Sequence, residues 1–358
     1  KLAVICDEFT MECLKPECEI ITFGSDDWKP ILEGNRPDAL FVESAWSGNS
    51  GRWARKVAYI NETNTLDLKE LIKWCKDNSI PTIFWNKEDP VHFNSFIETS
   101  KYFDYIYTTD ENSVIKYKKV TNNNNVFTLP FAAQPMIHNP IKEFERKERT
   151  FFAGSYYARK YLERQKHMNS MLEKASQFGL DIYDRNLDNS NPEFDFPKHL
   201  KKYIVGKLST NEISKAYKGY KVALNVNSVI KSRSMFSRRV FECLASYTPV
   251  VSTYSEAIRN VLEDKVFVGQ NEKDWELALR KLMENEEYYL MSAHLGYREV
   301  MSKHTYYERL KYVLENAGLS FNEQKPKISI ITFLNSKEEL ETLISMIKKQ
   351  TYKSFNVN

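Results

Sequence analysis

Arg238, Arg239 and Glu242 are the side chains of this sequence best placed to hold a charged ligand. They open a helical pattern in which Val240, Phe241, Leu244 and Ala245 recur on one face. An apolar run, Val222 to Val226, and a polar loop carrying Asn225, Asn227, Ser228, Lys231 and Arg233 precede it, and a second apolar run, Pro249 to Ser252, follows. That order predicts strand, loop, helix, strand. Strand-to-helix loops of a parallel sheet line its ligand crevice, so the two guanidinium groups suit phosphate oxygens taken bidentately. A carboxylate at Glu242 can accept from both hydroxyls of a vicinal diol such as a nucleotide ribose. From spacing alone the plainer alternative is a first-turn acid favoured by the helix dipole beside two solvated arginines.

Two further groups could share that chemistry. In Gly154-Ser155-Tyr156-Tyr157 a strand turns into a helix over Arg159 to Phe178, with Arg159 and Lys160 near its start, where a diphosphate could be met; a simple turn is the alternative. The run W-N-K-E-D-P-V-H-F brings Asn86, Lys87, Glu88, Asp89 and His92 to a strand end. Asp89 or His92 could there take a proton from an acceptor hydroxyl, with Glu43 and Glu88 next in line. Trp46 could stack on a sugar while Glu43, Asn86 and Lys87 contact it. A turn begun at Asp89-Pro90, capped by His92, and a buried Trp46 are the structural alternatives.

Other chemistries lack their patterns. The six histidines are scattered, and no H-x-x-x-H, paired-carboxylate or D-x-D spacing suggests a metal. No G-x-S-x-G elbow or G-x-G-x-x-G fingerprint is present. With 51 basic and 48 acidic residues, the net charge of +3 calls for no nucleic-acid partner. Five cysteines without C-x-x-C spacing argue against a disulfide framework and fit a reducing cytoplasm. No apolar window is long enough for an integral membrane segment, which leaves peripheral association with a membrane face open.

The elements that must position these groups alternate between strand and helix. Strands are expected at Lys1–Cys6, Ile20–Phe23, Ala39–Val42, Pro81–Trp85, Tyr105–Thr108 and Val126–Leu129, with helices at 66–78, 96–103 and 112–119 and a polar loop at Asp7–Thr10. The alternation resumes at Arg149–Ala153 and Leu180–Tyr183, with a helix over Thr210–Tyr220 capped by Ser209 or Thr210, and later helices at 255–262, 272–285 and 287–319. Three prolines, Pro130, Pro135 and Pro140, mark a semi-rigid hinge. The expected fold class is α/β, with two Rossmann-like domains facing across a cleft: residues 1–139, an acceptor domain, and 140–319, a donor domain. Residues 320–358 form a separate tail.

The run R-R-V-F-E-C-L-A-S-Y-T-P-V-V is similar to the nucleotide-sugar motif of GT-B glycosyltransferases, whose helix-borne Glu grips the donor ribose, and more closely to the spore-maturation (CgeB-like) branch. Ser234 stands where the usual motif has a second acid. Gly154 to Lys160 resembles the branch's F-x-G-S-x-x-x-x-(R/K) loop, the proline-rich segment its interdomain segment, and His304-Thr305-Tyr306-Tyr307 the start of the terminal GT-B helix. The resemblance implies transfer from a nucleotide sugar, foremost a UDP-sugar, to a saccharide or cell-surface glycan, without a metal or other cofactor. Two other classes stay open: a nucleotide-sugar 2-epimerase, and a non-catalytic sugar-binding module of a larger polymerase.

The tail, Pro326 to Asn358, predicts a strand at Ile328–Phe333, a helix at Ser336–Gln350 and a further strand at Phe355–Val357. It resembles the opening of a GT-A family 2 glycosyltransferase, which implies fusion to a second enzyme. The alternative is a helix crossing back to brace the first domain.

Overall fold

The computed structural model describes residues 1–61, 66–143, 145–320 and 327–357. Residues 1–317 form one compact unit and 318–358 another. The first unit opens with β1 (Leu2–Ile5), α1 (Glu8–Leu14), β2 (Ile20–Thr22), α2 (Trp28–Gly34), β3 (Ala39–Glu43), α3 (Leu66–Asp77), β4 (Thr82–Asn86), α4 (Phe93–Ser100), β5 (Tyr105–Thr108), α5 (Val114–Thr121) and β6 (Val126–Thr128). All six strands are parallel, in the order β2-β1-β3-β4-β5-β6. β1, β3 and β4 are buried along their whole length, as near-continuous apolar strands must be in a sheet covered on both faces.

The loop expected at Asp7–Thr10 is instead the start of α1, because Thr10, Met11, Cys13 and Leu14 bury at helical spacing. Asp7 leaves that helix uncapped and accepts from the Gly48 N–H at 2.8 Å, tying β1 to the loop after β3.

The second sheet is built by β7 (Lys147–Gly154), α6 (Leu162–Ser176), β8 (Leu180–Asp184), α7 (Lys198–Lys201), β9 (Ile204–Gly206), α8 (Ile213–Gly219), β10 (Tyr220–Asn225), α9 (Arg239–Ala245), β11 (Val250–Thr253), α10 (Glu256–Leu262), β12 (Phe267–Gly269) and α11 (Glu272–Glu284). Its order, β9-β8-β7-β10-β11-β12, reverses between β7 and β10, so the crevice beyond their carboxyl ends is a topological switch point. Two helix starts differ from expectation. α6 begins at Leu162, after the left-handed Tyr161 (φ 56°), three residues later than predicted. α8 begins at Ile213 without a side-chain cap, and the Ser209 hydroxyl donates instead to the Glu212 carboxylate at 2.8 Å.

Two helices close the unit, α12 (Glu286–Lys303) and α13 (Tyr306–Asn316). α13 returns to the first sheet, where Leu310 and Val313 share an apolar cleft with Phe41, Trp85 and Leu129. Arg309 fixes it by donating to the carbonyls of Pro130 (2.9 Å), Phe131 (3.1 Å) and Lys303 (3.0 Å). The crossing-back brace is therefore α13, upstream of the tail where one expectation put it. The proline-rich segment is strapped rather than loose, with Ala133 bonded on both sides to His304 and Tyr306. A polar seam also joins the sheets: Ser234 Oγ donates to Thr109 O (2.8 Å) and accepts from the Glu111 N–H (2.7 Å), and Ser232 Oγ donates to Asp110 Oδ1 at 2.5 Å.

The second unit contains β13 (Ile328–Ile330), α14 (Lys337–Lys348) and β14 (Phe355–Val357), with the strands parallel and Ile328 opposite Phe355. The Ser336 hydroxyl caps α14 by accepting from the Glu339 N–H at 3.1 Å. β13 is three residues shorter than expected, and Phe333 is 91% exposed. Pro326 and Asn358, the ends of the predicted tail, lie outside the described residues.

Candidate active site

Two chambers sharing a wall open where the carboxyl ends of β7 and β10 face the loop after β4. The first, of roughly 500 Å³, runs from Phe9, Thr10 and Tyr306 past Gly154, Tyr183 and Tyr217 to the loop Lys207–Thr210. The second, of roughly 360 Å³, is bounded by Val91 and His92 on one side and by Ser155, Tyr157, Tyr161, Arg164, Asn227 and Ser228 on the other. Lys87, Glu88, Phe131, Arg185, Arg238 and Arg239 line both. Glu88 is the only carboxylate on either wall among the described residues.

Gly154 matters here for what it lacks. A Cβ at this position would stand 3.2 Å from Arg239 Nη2 and 3.0 Å from the Phe152 ring, so the glycine lets a guanidinium lie against the backbone at the end of β7. No described carboxylate pairs with Arg239, and burial together with the fields of Arg185 and Arg238 pushes its pKa down. A cation held this way gains when an anion arrives. Arg238 is treated differently. Burial would lower its pKa, but Glu242 Oε1 accepts from its Nη1 at 2.6 Å and the net shift is upward. Its guanidinium lies over the Phe9 ring, 3.3 Å from the centroid.

Several expected site residues stand elsewhere. Glu242 is fully buried and does not reach the wall; Arg238, which it grips, does. Its Oε2 is the only buried carboxylate oxygen without a partner among the described residues. Arg159 and Lys160 are exposed and line neither chamber, because the late start of α6 leaves them in a loop whose N–H groups donate to Glu193 Oε1 at 3.3 and 3.1 Å. Asn225 is buried beneath the second chamber's wall, its Nδ2 donating to Asn227 Oδ1 at 3.0 Å and Ser252 Oγ at 2.9 Å.

On the other side, Glu43 is buried under Lys87 rather than open to the cleft. Its Oε1 accepts from the Asp7 N–H at 2.5 Å and Lys87 Nζ at 2.7 Å, and its Oε2 from Thr10 Oγ1 at 2.6 Å. Burial alone would lower the Lys87 pKa, yet the Glu43 carboxylate raises it, so Lys87 presents a fixed positive charge. Asp89 is also withdrawn. Asn86 Nδ2 (3.0 Å) and Thr108 Oγ1 (2.6 Å) donate to it, and burial lifts its pKa to about 7 against the pull of the Thr108 bond. Asn86 donates as well to the Tyr117 hydroxyl at 2.7 Å and is buried. Both therefore knit the turn together and cannot touch an acceptor. Trp46 stacks edge-on against His92 and Phe96, with centroids 5.3 and 5.2 Å away, and lines neither chamber.

Arg164, Arg185 and Phe9 are wall residues that sequence reasoning missed. Arg185 directly follows the last residue of β8, a position that could have marked it; Arg164 had no local signal once the helix was started at Arg159. Among the described residues no three His, Cys, Asp or Glu side chains gather to hold a metal ion, and no helix is long and apolar enough to cross a membrane.

Two all-parallel sheets facing across a cleft, braced by a helix that returns from the second to the first, match solved glycosyltransferases. An alpha-glucosyltransferase solved with UDP and a 13-mer DNA containing an HMU base overlays 88% of this chain and 98% of its own, with TM-score 0.57 and 11% identity. This is a GT-B fold. A glycosyltransferase from Rickettsia africae ESF-5 overlays 88% of each chain at TM-score 0.54 and 9% identity. TarM gives TM-score 0.50 at 13% identity over 80% of this chain, which spans only 56% of TarM's length. Residues 164–315, most of the second GT-B domain and α13, match the family model described as glycosyl transferase-like. No curated protein matches the chain.

Proposed function

We propose that this GT-B protein transfers a sugar from a nucleoside diphosphate donor, foremost a UDP-sugar, to a saccharide or glycan acceptor. The observation that carries this reading is the shared wall, where Glu88, Arg185 and Arg239 line both chambers and, among the described residues, neither arginine has a carboxylate partner. In this reading the nucleotide fills the first chamber, with its diphosphate against Gly154 and Arg239 and its base towards Tyr183 and Leu208. Arginine and Lys87 then stabilise the departing diphosphate without a metal. The acceptor enters the second chamber past His92. Glu88 takes its hydroxyl proton as the oxygen attacks the donor's anomeric carbon, and the diphosphate leaves with the electrons of the broken bond. Glu242 Oε2, lacking a partner, is assigned to a ribose hydroxyl, which a turn of the Arg238 side chain would admit.

The motif R-R-V-F-E-C-L-A-S-Y-T-P-V-V supports placing the protein in the CgeB-like branch. The parallel strand-helix-strand unit of residues 328–357 supports reading the tail as the opening of a GT-A family 2 domain, and a D-x-D motif encoded within the next hundred residues is its test. A cytoplasmic site of action, at or near a membrane face, fits the free cysteines.

Calorimetric titration with nucleotides and nucleotide sugars tests the main reading, since absence of selective binding would end it. For the chemical step, Glu88→Gln is expected to lower kcat by roughly 10²- to 10⁴-fold with donor affinity intact. Transfer at the parental rate would remove Glu88 as the base and leave His92.

A further inference from the structure

One half-buried cation is left unused by the transfer reading. Arg164, in the first turn of α6, lines the second chamber and not the first. Its Nη2 donates to Ser155 O at 3.1 Å, its Nη1 approaches Met168 Sδ at 3.6 Å, and its guanidinium lies 5.3 Å from the Tyr157 ring centroid. These contacts fix its direction without neutralising it. Its Nε is buried with no hydrogen-bond partner, and no described carboxylate pairs with it. Burial, and then the field of Arg239, push its pKa down to about 10.

Arg239 already serves the first chamber from beside Gly154, so a diphosphate bound there leaves Arg164 uncompensated. Arg185 lies on the shared wall and can turn a second guanidinium to the same side. Two planar forks with tyrosine hydroxyls at Tyr157 and Tyr161 suit the several oxygens of a phosphate better than the two of a carboxylate. On this basis, and resting on the transfer reading above, we infer that the second chamber holds a phosphate carried by the acceptor, bound between Arg164 and Arg185. The acceptor is then a phosphorylated saccharide or polyol, and Arg164 selects it over a neutral glycan.

The test uses the full chain saturated with UDP and titrated calorimetrically with glycerol 1-phosphate, with glycerol as control. Glycerol 1-phosphate is expected to bind while UDP stays bound, and glycerol is not. Arg164→Gln should weaken that binding by roughly ten- to a hundredfold while UDP affinity moves by less than about twofold, which also shows that the variant is folded. Arg164→Lys should keep part of the binding, since it retains the charge but not the fork. Competition between UDP and glycerol 1-phosphate, or an equal loss of UDP affinity in Arg164→Gln, would assign Arg164 to the donor diphosphate and overturn the inference. Undiminished glycerol 1-phosphate binding in the variant would overturn it too. Failure of the transfer reading appears separately, as a parental protein that binds no UDP.

Discussion

Glu242 and Ser234 show how far a side chain's role depends on what stands beside it. The carboxylate of Glu242 is held by Arg238 on one oxygen and, among the described residues, by nothing on the other, and an unpaired buried acceptor is costly unless a ligand completes it. Glu242→Gln is expected to cost about 1 to 3 kcal/mol of UDP affinity. Calorimetry with uridine separates the causes: a ribose contact predicts a loss with uridine as well, whereas action only through Arg238 predicts a loss confined to UDP. Ser234 stands where the usual motif has an acid, and the structure supplies a reason. Its hydroxyl bonds the loop that also carries Asp110 and Glu111, and a carboxylate there would lose the donated bond to Thr109 O and meet like charge.

At the scale of elements, the decisive piece is α13. It carries no wall residue except Tyr306, yet one half-buried guanidinium, that of Arg309, ties it to the hinge segment at Pro130 and Phe131. Removing that group leaves several carbonyls without their donor. Arg309→Ala is therefore expected to destabilise residues 1–317 by about 2 kcal/mol, read from the urea midpoint at unchanged m-value. An unshifted midpoint would mean that apolar packing of Leu310 and Val313 alone holds the brace. The late start of α6 is the other element with consequences, because it exchanges Arg159 and Lys160 for Arg164 as the cation presented to the cleft.

For the whole molecule, both sheets, the brace and both chambers lie within residues 1–317, and the strand-helix-strand unit lies outside it. A protein ending at Ala317 is expected to bind UDP with parental affinity and to melt within about 2 °C of the first transition of the full chain. A large drop in either would show that residues 318–358 support the site.

Two parallel α/β domains were legible in the sequence because strands buried on both faces must be written as short apolar runs, and Ala39–Glu43, Thr82–Asn86 and Tyr220–Asn225 are such runs. The apolar face of α9 was legible for a similar reason, since Val240, Phe241, Leu244 and Ala245 recur at helical spacing, whereas Glu242, expected beside the arginines in the cleft, is buried behind Arg238. What spacing could not supply was depth. Glu43, Asp89 and Asn86 sit at strand ends, as expected, yet neighbouring strands and turns bring Lys87, Thr108 and Tyr117 against them and bury them. Glu88, two residues past the end of β4, is only half-buried and lines both chambers. Whether a strand-end carboxylate faces the cleft or braces it depends on partners up to 44 residues away, and only the folded chain brings those together.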